Sequence, residues 1–196
     1  MTTRAETADV RPPRQERSAR TWDRVLSVAM DLFAERGWDG LTIAEVCRRA
    51  EVSAPSIYAR VDGKAGLFRA AHERWLRDME ESEAAIATRL EQEELDGADR
   101  AAHLMAELYD ANASVLRAVI DRSVHDDELR ARGAAASRAL VARVADILPL
   151  EGSRAAETSE ALYAACVLRV LVGDDFLRAS GEELDAFVAR LRRMVG

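Results

Sequence analysis

Between Thr42 and Lys64 the chain gathers hydroxyls and cations in a pattern suited to gripping phosphate, not to breaking bonds: Thr42, Ser53, Ser56, Tyr58, Arg60 and Lys64. Double-helical DNA presents closely spaced phosphates and a major groove wide enough for one α-helix, so its reader is a short exposed helix held by others. Thr42 and Lys64 each stand where a helix begins, and the free amides there clamp a phosphate together with a hydroxyl or an ammonium. Lys64 is the only lysine in a chain whose other cations are arginines. Tyr58 can give its hydroxyl to a phosphate while its ring lies on sugar, and Ser53 and Ser56 can bond a base edge or a phosphate. Arg60 suits a bidentate contact with guanine, or a phosphate. Ala54, Pro55 and Ala59 are small or apolar and fit against a thymine methyl. The competing account makes Thr42 a plain cap, packs Tyr58, and leaves Arg60 and Lys64 solvated.

Three helices must hold those groups. Trp22, Val25, Leu26, Ala29, Leu32 and Phe33 recur at helical spacing, and Gly37 follows as a C-terminal cap. Thr42 and Glu45 form the T-x-x-E capping box, whose hydroxyl and carboxylate reciprocally satisfy free amides. Ile43, Val46, Cys47 and Ala50 then make the inner face of a second helix. Ser53 caps a short third helix with Pro55 in its first turn, where a missing N–H costs little, and Ile57 and Val61 point inward. Asp62-Gly63 breaks the pattern. A long fourth helix runs from Lys64 to about Leu90, striped by Leu67, Phe68, Ala71, Trp75 and Met79. Residues 1–18, with Arg4, Arg11, Arg14 and Arg17, read as a basic flexible arm that lies along phosphates or enters a minor groove, or as a solvated tail.

The net charge of −7 opposes nucleic-acid binding only on average. The first 74 residues carry slightly more Arg and Lys than Asp and Glu, and the acidic excess lies beyond them. A hydrophobic fraction of 48% beside 32% charged residues predicts a folded chain. No apolar run is long enough to span a membrane and no signal peptide opens the chain, which predicts a cytoplasmic protein. Cys47 and Cys166 lie far apart in apolar helical patterns, as reduced core thiols do.

The acidic segment Glu91–Asp99, with Gly97, reads as a loop. Ala101 to Ile120 traces one helix or two bent ones, and another helix spans about Asp127 to Leu148 before Pro149 and Gly152. Residues 155–177 form a helix apolar on nearly every side. A capping box of Ser180 and Glu183 opens the last helix, striped by Leu184, Phe187, Val188, Leu191 and Val195. These two terminal helices are expected to pair with their copies across a two-fold axis, through Leu162, Leu184, Phe187, Val188 and Leu191.

His103 and His125 lack partners at metal-ligand spacing, so neither a metal nor a cofactor is expected. There is no Gly-rich phosphate loop, GxSxG turn or HExxH helix, which argues against an enzyme.

Residues 19–79 resemble the DNA-binding domain of the TetR family of bacterial transcription regulators. The resemblance rests on Phe33-Ala34-Glu35-Arg36-Gly37, Leu41-Thr42-Ile43-Ala44-Glu45-Val46, Val52-Ser53 with Ile57-Tyr58, and Lys64 followed by Leu67. Glu51 stands where that family usually has Gly, and Ala59-Arg60-Val61 replaces x-His-Phe. The resemblance implies an all-α homodimer of about nine helices per subunit. Its N-terminal part is a three-helix DNA-binding domain with the helix-turn-helix at 42–61, and its second part, 80–196, is an effector-binding and dimerisation domain. It further implies a repressor that reads a palindromic operator in double-stranded DNA and is released by a small-molecule effector. The alternative is a dimeric helical module that binds a ligand or partner without reading specific DNA. Pocket candidates on the long helices are Trp75, Met79, His103, Met105, Tyr109, Asn112, Arg117, Tyr163, Cys166 and Arg169, each of which reads otherwise as core or, for Arg169, as one half of an ion pair.

Overall fold

The computed structural model describes residues 14–176 and 181–196, and all of its regular structure there is helical. Residues 1–13 of the expected arm, and Ser180 of the expected second capping box, lie outside the described residues.

Helix α1 (Arg14–Gly40) takes in Arg14 and Arg17, which the sequence assigns to the arm. Its helical course is interrupted at Gly37, where φ is 65°; a side chain there would be strained by the left-handed conformation and glycine is not. Then come α2 (Ile43–Ala50), α3 (Ala54–Tyr58) and α4 (Gly63–Gln92). The acidic segment 91–99 is mostly not a loop. Helix α4 runs to Gln92, and α5 (Gly97–Ala111) starts at Gly97 because Asp96 Oδ1 accepts the amide of Asp99 at 2.8 Å. The apolar run after Ala101 divides at Asn112 into α5 and α6 (Ala113–Ser123). Asp126 caps α7 (Asp127–Ile147) through the amide of Leu129. Helices α8 (Ser153–Val172) and α9 (Leu184–Val195) complete the described residues.

Two hydrophobic cores result. The first buries Val25, Leu32, Phe33, Val46, Ile57, Leu67 and Phe68 of α1 to α4. It also takes Val119 from α6 and Leu129 from α7, so the N-terminal unit is closed by helices that come much later in the chain. The second packs α5 against α7, α8 and α9 around Leu104, Met105, Leu108, Leu162, Cys166, Phe187 and Leu191. Helix α4 belongs to both, with Leu67 in the first core and Leu90 in the second.

Candidate functional site

Helix α3 is short, and its one fully buried side chain is Ile57, which fixes it to the first core. Ser53, Pro55, Ser56, Tyr58, Ala59 and Arg60 are exposed around it, with Ala54 half-buried. Tyr58 is 57% exposed, unusual for an aromatic with no interior role. Ser53 is the N-cap residue but makes no bond to a helix amide; its hydroxyl instead shares a 2.8 Å bond with that of Ser56.

The capping box at α2 is half formed. Thr42 Oγ1 accepts the Glu45 amide at 3.2 Å, while the Glu45 carboxylate is held by Arg48 at 2.7 and 2.8 Å and by Arg49 at 3.2 Å. Bonding to Arg48 above all lowers the Glu45 carboxyl to about 2. Arg49 also forks onto Glu35 of α1 at 2.8 and 2.9 Å, tying α2 to α1. The turn between α2 and α3 is made with Glu51 in the left-handed region, φ 53° and ψ 47°.

The two cations singled out from sequence are each engaged within the chain. Lys64 Nζ lies 4.3 Å from the centre of the Trp38 ring, and Arg122 of α6 covers the same ring at 4.5 Å. Arg60 donates to Ser18 Oγ at 2.6 Å and stacks over Trp22 at 4.9 Å. Its guanidinium therefore fastens the end of α3 to the start of α1.

A cavity of about 490 Å³ lies below this head, within the size range of small-molecule sites. Helices α4, α5, α6, α7 and α8 wall it. Val119 and Leu129 of the first core and Leu108, Tyr109 and Leu140 of the second all line it, so it separates the two cores. Of the residues expected there, Trp75, Met79, Tyr109 and Tyr163 are in the wall. Asn112 stands behind it and accepts a 3.2 Å bond from Trp75 Nε1.

The other expected members lie elsewhere. His103 pairs with Glu107 on a half-exposed face of α5, and Met105 is sealed in the second core. Cys166 is fully buried, and burial pushes its thiol up to about 12. Arg169 donates to the Glu182 carbonyl at 2.7 Å, lies 3.9 Å from Asp110 and stacks over Phe187. Arg117 donates to the Val170 carbonyl. Among the polar positions that sequence reasoning missed are His72, Glu83, Ser137 and Arg143. Only His72 left a legible signal, a polar side chain within the apolar stripe of α4.

The polar groups of the wall are mostly matched. Glu83 and Arg143 form a two-pronged pair, 2.6 Å for each bond, and Ser137 and Tyr163 share a hydroxyl bond of 2.8 Å. His72 differs. It is 1% exposed, it sits between the Phe68 and Trp75 rings, and its Nε2 has no partner. Burial is the main reason its imidazole drops to about 4 and stays neutral at pH 7.

The expected pairing residues Leu162, Phe187, Val188 and Leu191 face into the second core of their own subunit, with Leu184 packed at its edge, because α9 needs that stripe to seat on α5 and α8. The outer face of α8 carries Ala161, Ala164, Leu168 and Leu171 in the open.

Comparison with known proteins agrees with this geometry. The family model for bacterial regulatory proteins, tetR family, matches residues 25–71. No curated protein sequence matches the chain. Among solved structures, a TetR-like transcriptional regulator from Rhodococcus sp. RHA1 superposes with a TM-score of 0.67 at 17% identity, over 94% of this chain and 96% of that one. Another transcriptional regulator from the same source gives 0.70 at 19%, over 89% and 94%. A fatty acid metabolism regulator of Clostridium perfringens gives 0.64 at 16%, over 88% and 96%. Residues 25–71 match the tetR family of bacterial regulatory proteins, and the described residues have the fold of the TetR-like regulators.

Proposed function

We propose that the chain is a sequence-specific transcriptional repressor that binds a palindromic operator as a homodimer and leaves it when a small-molecule effector fills the cavity between the two cores. Its DNA-reading residues are Thr42, Ser53, Ala54, Pro55, Ser56, Tyr58, Ala59 and Lys64, with Arg60 holding α3 in place. The observation that carries this reading is the place of the cavity. It is walled by residues of both cores, and α4, which lines it with His72, Trp75, Met79 and Glu83, begins at the Lys64 end of the reading head. An effector shifts an equilibrium only through its different affinity for two states. A ligand that props the cores apart does this directly, because their separation sets the angle of α4.

For the dimer, the uncovered face of α8 with Ala161, Ala164, Leu168 and Leu171 supplies the apolar area.

Selection of bound duplexes from a random library at two salt concentrations tests the reading. A two-fold symmetric sequence should be enriched, with binding that falls steeply as salt rises, because Lys and Arg displace condensed counterions. Weak binding without enrichment would favour the alternative, a dimeric module that senses a ligand or partner without reading DNA.

A further inference from the structure

We propose that the cavity between the two cores takes an uncharged, largely apolar molecule bearing a single hydrogen-bonding group, and that this group meets Nε2 of His72. The inference rests on the reading of that cavity as an effector site and names the chemistry of the effector. Three observations carry it.

The wall is apolar over most of its extent, with Leu76, Met79, Leu108, Val119, Leu140 and Val167 among its members. Such a surface favours a ligand body that gains by leaving water.

Glu80, Arg130 and Arg138 stand exposed at the mouth of the cavity, and among the fully buried polar atoms of its wall one position is open. Glu83 is engaged by Arg143, Tyr163 by Ser137, and Trp75 by Asn112. The Ser123 hydroxyl donates to the Ile120 carbonyl. Among the residues of this wall, His72 is the one with a buried nitrogen, Nε2, that has no partner. A buried polar atom left unmatched costs free energy, and a ligand that matches it recovers that cost on binding. His72 also borders a smaller space of about 40 Å³ between α4 and α7. A lone solvent molecule there would meet the same nitrogen without filling the large cavity, and the experiment below separates the two.

Charge completes the argument. A carboxylate or an ammonium taken into an apolar cavity must be paired. Arg143 is already held by Glu83, Arg130 is paired with Asp127, Arg132, which approaches His72 from α7, is shared by Glu73 and Glu128, and Arg138 lies exposed to water at the mouth of the cavity. His72 is neutral and has no charge to offer a carboxylate. A hydroxyl, a carbonyl or a neutral ring nitrogen suits it, since a neutral imidazole donates or accepts at Nε2 according to tautomer.

The test uses the full chain without DNA and N-phenyl-1-naphthylamine, an uncharged probe that brightens in apolar surroundings. The probe is displaced with 1-decanol, decanoate and 1-fluorodecane, which share a chain and differ in one end. Saturable probe binding is expected, with 1-decanol displacing the probe at about tenfold lower concentration than 1-fluorodecane, the worth of one neutral hydrogen bond to an otherwise unmatched group. Decanoate should be weaker than the alcohol. His72→Phe, which keeps the ring between Phe68 and Trp75, should erase the advantage of the alcohol and leave 1-fluorodecane unchanged. If that variant fails to fold, the same comparison is made in His72→Leu. Gly133 lines the cavity, and a Cβ there meets nothing within 4 Å, so Gly133→Leu should abolish probe binding by occupying the space. Decanoate equal to or tighter than decanol, an alcohol advantage that survives loss of His72, or probe binding that survives Gly133→Leu would each overturn the proposal. None of these measurements depends on DNA, so their failure is distinct from failure of the duplex selection.

Discussion

Lys64 and Arg60 look alike in the sequence, and the structure gives them different surroundings. Lys64 keeps its ammonium at the start of α4 with Trp38 beneath it. Lys64→Ala should weaken binding to all duplexes alike and reduce the salt slope by about 1, read from affinities across a salt series. Arg60 commits its guanidinium to Ser18 and Trp22. Arg60→Ala should therefore lower affinity for cognate and scrambled duplexes alike, and a changed base preference in the same assay would return it to the groove. Glu51 holds a left-handed backbone that costs a residue with a Cβ roughly 1 kcal/mol. Glu51→Gly should raise stability by up to about 1 kcal/mol in a urea titration, through relief of that backbone strain alone. His72 gives the fold a pH dependence. Its imidazole titrates near 4 when folded against an ordinary value of 6.5, so the unfolded chain takes up the proton first. Stability from this group is complete above pH 6.5 and is lost as the pH falls toward 4. Melting temperatures measured across that window should flatten in His72→Phe relative to the parent.

The helices were legible because their apolar residues repeat with the helical period, and the breaks at Gly37 and Asp62-Gly63 because of the residues there. The inner and outer faces of α3 were legible for the same reason: Ile57 inward and Tyr58 outward follow from their adjacency on a short helix. The cavity was only partly legible. Tyr109 and Met105 lie one turn apart on α5, yet Tyr109 lines the cavity and Met105 is sealed in the core. Periodicity tells which face turns inward and not what stands opposite it. Capping by Asp96 and Asp126 went unread because both aspartates sit in acidic surroundings that look like loop. Gly97 shows what such a segment conceals. A Cβ there would collide with the Ile147 carbonyl at the end of α7, so glycine lets α5 and α7 meet. Gly97→Ala should destabilise the chain by about 1–3 kcal/mol, measured by thermal melting, although alanine is the better helix former.

Across the whole molecule, the apolar residues of the two terminal helices fall into two sets that sequence could not separate. One stripe seats α9 on its own subunit, and the other, on α8, stays uncovered. Leu168, at 42% exposure, belongs to the second set and Val188, at 6%, to the first. Leu168→Glu should yield monomers by sedimentation with the melting of the single chain intact, whereas Val188→Glu should unfold the subunit itself. A dimer that persists in Leu168→Glu would place the interface on another face. The cavity between the cores also makes the chain sensitive to hydrostatic pressure. The part of that space which its apolar wall keeps free of water is volume that unfolding eliminates, whereas the part open to solvent contributes none. Compression should therefore loosen the joint between head and body before it disturbs either core, and a molecule seated there should make the chain stiffer to pressure in proportion to the space it occupies.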